Sequence, residues 1–430
     1  MSGIPTVRIG CCMFAATIAL IAGGCGSKGN STGVSSTSVT FGTHQPLTGP
    51  AAPGYSEIAP ASVAFFEYLN AQGGIYGRKI HLIVKDDAYN PTQTVNVVHG
   101  LVLNEKIFGI FEGLGTPTHT KVVSFLNTEK VPDLFVASGC PCWDNGTAQP
   151  YTFGWQPNYT IEGKILGQYI KQHFASSKVG VFYQNDDFGK GGLTGIRDEL
   201  PASQIVSAQP YEPGITNVAP QISSIKASGA KVLVDFTVPI YTALGQLASF
   251  TLGYKPQLVS SSVGIDPTTV GGLLKTFSKG KAGTELIEGA ITDGYLPSVG
   301  EVSNPWIALF KKVHDTYDSS APFDGNVEYG MAAAYTLAQA LQLAGKNLTR
   351  EGVVKALNEK GAQLTGPGLV PYRYSTSDHG GYAGAQMGQV KGGVITQFGP
   401  RLITTPEASS PITTYTTPQA APPTTGVSVP

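Results

Sequence analysis

Short apolar runs alternate with stretches of helical periodicity along most of the chain. Ile80–Val84, Phe108–Phe111, Leu134–Val136, Val179–Tyr183, Val232–Phe236 and Leu258–Ser260 have strand length, and each precedes a segment whose apolar residues recur at helical spacing. Alternation of this kind predicts parallel βαβ units, an α/β fold. Helix starts are marked by chemistry as well as by period. Asn90-Pro91 offers a cap and a first-turn proline ahead of Val95, Val98 and Leu101, and Thr349 followed by Glu351 opens a helix reaching Leu357. Within Val327–Ala344, Ala334, Leu337, Ala338 and Leu341 fall on one stripe, which predicts a core-facing helix.

The densest chemistry lies at Phe108–Asn127, a strand, a Gly/Thr loop and a helix. Pro117 suits the first helical position and Thr116 the cap before it, so free N–H groups and hydroxyls are expected to converge past the strand end as an anion cradle. An ordinary capped βα turn uses the same residues. Val131–Gly139 adds a second strand ending in Ser138-Gly139, and two adjacent strand ends of this kind favour a binding crevice.

The two ends of the chain differ from its middle. Arg8 precedes the apolar run Cys11–Ala22, too short for the ~20 residues of a membrane span but suited to a signal peptide over 1–24. Gly23-Gly24-Cys25 resembles the bacterial lipobox, which would make Cys25 a diacylated N-terminus followed by a flexible tether over 25–38. Residues 399–430 are rich in Pro, Thr and Ser, and the expectation is a disordered tail whose removal after Pro400 leaves folding and binding intact. At 430 residues the chain is long enough for two cores. Only 13% of residues are charged against the ~25% usual in soluble proteins, and the net charge of -1 shows no basic excess, so nucleic acid is not the expected partner.

An ordered set of motifs then resembles a known family. Thr43–Pro50, Asn70–Ile80, Val84–Asp87 with Asn90-Pro91, Val131-Pro132, Gly154–Pro157, Tyr183–Lys190 and Ile225–Ala230 together are similar to the solute-binding proteins of ABC importers for branched-chain amino acids. The resemblance implies a type I periplasmic-binding-protein fold: two Rossmann-like lobes with parallel sheets, joined by three crossovers near Gln156–Tyr159, Asp293–Leu296 and Thr365–Gly368. It places 39–157 and 295–364 in lobe 1, and 158–294 and 365–398 in lobe 2. It further implies a monomer without cofactor or metal, lipid-anchored to the outer face of the cytoplasmic membrane, which captures a small solute and hands it to ABC permease subunits. The alternative is a sensor of the same fold, signalling through a partner protein.

By family position, the expected ligand contacts are Tyr55, Gly115, Thr116, Thr118, Ser138 and Gly139 from lobe 1, with Phe188, Thr237 and Ser262 from lobe 2 and Trp155 beside a crossover. Trp155 and Phe188 fit interlobe packing equally well. Asp86-Asp87 and Asp186-Asp187 follow strands and precede turns, where Asp caps. His119 has no second ligand at metal spacing. Cys140-Pro141-Cys142 is either a bridge or two thiols. Gly-x-Ser-x-Gly, Gly-x-x-x-x-Gly-Lys-Ser/Thr and His-Glu-x-x-His are absent, so the chain is not expected to be an enzyme. Val259–Ile265 offers no acid before Asp266 to receive an ammonium, which leaves a small apolar carboxylate level with leucine, isoleucine or valine as the expected ligand.

Overall fold

The structure is a computed structural model and describes residues 32–429, together with Met1 and Gly3. The expected signal segment, the Cys25 lipidation site and most of the tether lie outside the described residues.

Two sheets organise the chain. The first has the order β2-β1-β3-β4-β5, built from Ser38–Gln45 (β1), Lys79–Asp86 (β2), Ile110–Phe111 (β3), Asp133–Val136 (β4) and Thr152–Gly154 (β5), all parallel. The second runs β13-β12-β11-β10-β9-β8-β6-β7. Its parallel part is Val179–Gln184 (β6), Ile205–Tyr211 (β7), Val232–Phe236 (β8), Gln257–Ser260 (β9) and Ile291–Gly294 (β10). Antiparallel strands Gly384–Lys391 (β11), Val394–Ile403 (β12) and Thr413–Tyr415 (β13) extend it. Every residue of β8 is buried, Asp235 included, as a strand covered on both faces requires. Between β11 and β12 the turn is Gly392-Gly393, both at positive φ, the chemistry a two-residue hairpin demands.

Each lobe has its own core. Phe65, Leu69, Met331 and Tyr335 join the helices Ile58–Ala71 and Gly325–Ala344 against the first sheet. In the second lobe the helices Tyr159–His173 and Asp187–Glu199 cross so closely that a Cβ on Gly195 would sit 2.2 Å from the Thr160 carbonyl oxygen. Asn90 and Thr349 cap their helices as expected. Asp186 also caps, accepting from the N–H groups of Phe188 and Gly189.

Three expectations change. The cap before Pro117 is Gly115, at φ 102, and the helix Thr116–His119 lasts one turn before the chain resumes at Val123–Thr128. Within 365–398, assigned to the second lobe, Tyr372, Tyr374 and Tyr382 pack in the first-lobe core with Trp155, and only from Gly384 does the chain join the second sheet. The tail is the largest correction. Beyond residue 399 the chain completes β12, forms β13 and returns across both lobes.

What holds the tail is mostly backbone. The buried Lys164 ammonium donates to Thr404 Oγ1 and to the carbonyls of Thr405, Glu407 and Ser410, at 2.7–3.2 Å. Trp306 Nε1 donates to the Ala420 carbonyl at 2.6 Å, Gln339 Nε2 donates to the Ser428 carbonyl at 2.6 Å, and Val427 is buried in the first-lobe core. A buried cation needs acceptors, and here the tail supplies them. Among the described residues no helix is long and apolar enough to cross a membrane.

Candidate functional site

A cavity of about 330 Å³ lies between the lobes. Tyr55 reaches across it, its hydroxyl donating to the Val263 carbonyl at 2.6 Å. Gln184 Nε2 donates to the Tyr89 hydroxyl at 3.2 Å, and the Gly325 N–H donates to Asp266 Oδ2 at 3.2 Å. These contacts join elements of opposite lobes, so the cleft is held closed. Its walls are aromatic: Tyr55, Tyr89, Tyr159, Phe188, Tyr295, Phe323 and Tyr329 all border it.

Of the ten expected contacts, five border this cavity: Tyr55, Gly115, Thr116, Phe188 and Ser262. The other five do not. Thr118 turns its hydroxyl onto the carbonyls of Leu114 and Gly115. Ser138 pairs with Thr116 through hydroxyls 2.6 Å apart, and Gly139 is needed for packing, since a Cβ there would meet the Pro157 carbonyl oxygen at 2.2 Å. Thr237 is bonded to Thr242. Trp155 stands one layer behind, packed edge-on against Tyr295 and Tyr329, with Nε1 donating to Thr336 Oγ1 at 3.1 Å. The expected anion cradle is thus a single helical turn in which Thr118 is committed to backbone carbonyls and Thr116 is paired with Ser138.

The acids of the cleft had no place in the expectation. Asp266, Asp293 and Glu328 border the cavity, whereas no Lys, Arg or His does among the described residues. Asp266 is occupied as a cap, accepting from Thr269 N–H at 2.8 Å and from Gly325. Asp293, at the end of β10, accepts through Oδ1 from Ser262 N–H at 3.3 Å, and that N–H also donates to Glu162 at 2.8 Å. Asp293 Oδ2 and Glu328 Oε1 have no donor, although both side chains are almost wholly buried. Burial, reinforced by the charge of Glu162, pushes Asp293 well above the ordinary carboxyl range. Burial, with the charge of Glu301, does the same to Glu328. Beside them Asp324 is pushed up to about 7 by burial and by the charge of Asp266. An acid closing a parallel strand at the sheet's carboxyl edge was the signal available for Asp293. Glu328 is an acid among the buried residues of the helix Gly325–Ala344.

Behind the Gly113–Thr116 loop lies a second polar group. His44 and His119 stand with Nε2 and Nδ1 2.9 Å apart; His44 Nδ1 is 2.8 Å from Asp87 and His119 Nε2 is 2.8 Å from Asp133. All four side chains are fully buried. Asp87 therefore does more than cap, and His119 does have polar partners, drawn from distant parts of the chain. With every ring nitrogen engaged, none is free for a metal. Burial lowers His44, opposed by its hydrogen bond to Asp87. Cys140 and Cys142 are joined as a disulfide.

Residues 38–394 match the family described as periplasmic binding protein. The chain belongs to that family. It is a family of solute-binding proteins rather than enzymes, and its members work outside the cytoplasm. Among curated relatives, Leu/Ile/Val-binding protein homolog 1 of Brucella abortus (strain 2308) is 24% identical over 360 residues, covering 78% of this chain and 86% of the relative. The protein of the same name from Brucella suis biovar 1 (strain 1330) is 26% identical over 356 residues, covering 78% and 86%. Solved structures share the fold. A branched chain amino acid ABC transporter protein from Thermus thermophilus with bound valine superposes with a TM-score of 0.75 at 19% identity, covering 87% of this chain and 98% of that one. A fatty acid ABC transporter substrate-binding protein from Thermomonospora curvata gives 0.71 at 20% identity, covering 86% and 93%. The fold expectation, type I periplasmic binding protein with two α/β lobes, is borne out.

Proposed function

We propose that this protein captures a small solute of amino-acid type between its two lobes and delivers it to the permease subunits of an ABC importer, working as a monomer anchored through a lipid on Cys25. The observation that carries the reading is the cavity between the lobes with its interlobe bridge from Tyr55 to Val263. Closure of two lobes over a solute is a hinge motion in which contacts made only in the closed state hold it shut, and the closed face is what a permease can recognise. The names of the Brucella relatives and the valine-bound neighbour favour an amino acid as the class of solute.

Tyr55, Gly115, Thr116, Phe188 and Ser262 are the proposed contacts among the residues the sequence suggested. Thermal-shift screening of the purified protein against the common amino acids tests the reading, because a solute bound only by the folded state raises the melting temperature. Saturable stabilisation by at least one of them is expected, and a flat response across the panel would refute it. For the anchor, Cys25→Ala is expected to release the protein from the membrane or to leave it unprocessed.

A further inference from the structure

The cleft's own chemistry narrows the solute further, on the premise that the cavity is the binding site proposed above. Two buried carboxyls, Asp293 and Glu328, border it, and each has an oxygen without a hydrogen-bond donor, Asp293 Oδ2 and Glu328 Oε1. Leaving a buried polar atom unpaired is costly, and a donor arriving with the solute removes that cost. Glu112 and Asp235 are equally buried and also carry unpartnered oxygens, but neither borders the cavity, so no solute can reach them. Place distinguishes the two pairs.

The surroundings favour a cation. Glu162 shares the Ser262 N–H with Asp293, so the potential at that end of the cavity is set by two neighbouring acids with no bordering base to offset them. The rings of Tyr159 and Phe188 pack with centroids 4.5 Å apart, and Tyr295 and Tyr329 form another part of the wall. Aromatic faces attract ammonium groups, more strongly when the pair is desolvated. For an anion the cavity offers no bordering Lys, Arg or His among the described residues.

We propose that the solute is an organic amine with an apolar or aromatic body, its cationic nitrogen received by the Asp293 carboxyl, with the Glu328 carboxyl as a second seat in the same cavity and with no carboxylate required for binding. This inverts the ligand preference drawn from the sequence, which rested on finding no acid in Val259–Ile265. The partner comes instead from β10 and from the helix Gly325–Ala344.

Two matched series decide it by isothermal titration of the full chain: phenylalanine, phenethylamine and 3-phenylpropanoate, then leucine, 3-methylbutylamine and 4-methylpentanoate. The amine of at least one series is expected to bind saturably, no more than about 10-fold weaker than its amino acid and at least about 10-fold tighter than its des-amino acid. Asp293→Asn is expected to weaken amine binding at least about 10-fold and Glu328→Gln to weaken it less, with unliganded melting temperatures showing that both variants fold. Binding of an amino acid or a des-amino acid without its amine would overturn this inference and leave the solute-binding reading standing. Amine affinity unchanged in both variants would overturn the assignment of the seats, and silence from all the compounds would overturn both readings.

Discussion

Two sets of buried charge in this molecule are built on opposite plans. Behind the first-lobe loop, Asp87, His44, His119 and Asp133 form an unbroken line of contacts at 2.8–2.9 Å, with Thr94 and Thr152 hydroxyls donating to the terminal carboxyls. One oxygen of Asp133 alone lacks a partner. Lys164 follows the same plan, with four oxygens gathered around its ammonium. At the cleft, Asp293 and Glu328 are also deeply buried, yet each borders the cavity and carries an oxygen with no donor. Groups of the first kind contribute to the fold only while they stay matched. Those of the second kind are a cost to the empty protein, recovered when something enters. The same substitution chemistry should therefore act with opposite sign in the two places.

Stripping Lys164 of its acceptors is expected to have the largest effect. Deleting 404–429 removes all four and uncovers part of the first-lobe core, and removing one side of a buried charged contact costs about 3–5 kcal/mol. Denaturant melts of the truncated chain should show at least that loss. Lys164→Met in the truncated chain should recover much of it, because the unmatched charge goes too. A truncation that left stability unchanged would mean that the tail does not hold Lys164 in solution.

Next in size is the histidine line. His119→Leu leaves His44 Nε2 and Asp133 Oδ2 facing an apolar side chain, and a loss of about 3 kcal/mol is expected in the same melts. Gly113→Ala tests the line without deleting a member. Its Cβ would sit 2.7 Å from both His119 Nδ1 and His44 Nε2, so it must part the rings, at a cost of about 1–3 kcal/mol. If Gly113→Ala melts like the parent chain, the two rings are not held together as described.

How much of this could be foreseen depended on where each interaction is encoded. The sheets were legible because strands covered on both faces are largely apolar, as Val179–Tyr183 and, but for Asp235, Val232–Phe236 are, and because Asn90 and Thr349 cap helices through local contacts. Phe188 and Tyr55 were legible at the cleft from their place in a motif. The histidine line was not, since His44 and His119 are 75 positions apart and each looks solitary in its own segment. Asp293 and Glu328 failed for a related reason: an acid at a strand end or in a helix resembles a surface residue until tertiary packing buries it. The tail misled because its anchoring groups are backbone carbonyls, which composition does not register.

At the cleft the sign should reverse. Asp293→Asn keeps an oxygen for the Ser262 N–H and removes a carboxyl that stands beside Glu162, and Glu328→Gln removes one that nothing in the protein matches. Each unliganded variant should be as stable as the parent or more stable by up to about 1 kcal/mol, against the losses expected at the histidine line. A loss of more than about 2 kcal/mol in either would show that the carboxyl is matched in the empty protein and is not held open for a solute.

The smallest effect is a slope with pH, and it separates the two sets without deleting anything from the first. Asp293, Glu328 and Asp324 all have folded-state values raised above those of the unfolded chain, so their contribution to stability is complete below the usual carboxyl range and is lost as pH rises. For Asp324, raised to about 7, the loss falls between about pH 4 and 7. Burial raises Glu112 and Asp235 too, and these add to the same slope. His44 acts against it. Its value is lowered, so it destabilises the fold as pH falls below about 6.5. The parent's curve mixes all of these, but the difference between the parent and Asp293→Asn/Glu328→Gln cancels His44, Glu112, Asp235 and Asp324. What remains should be a melting temperature for the parent that drops relative to the double variant as pH rises from about 4, by roughly 1–3 °C for each kcal/mol lost in a chain of this size. A saturating amine should flatten that difference in the parent, since the ionised carboxyls then have a partner, and should leave the double variant's own curve unmoved. Parallel curves for parent and variant without solute would place Asp293 and Glu328 with the matched groups and dissolve the contrast between the two sets.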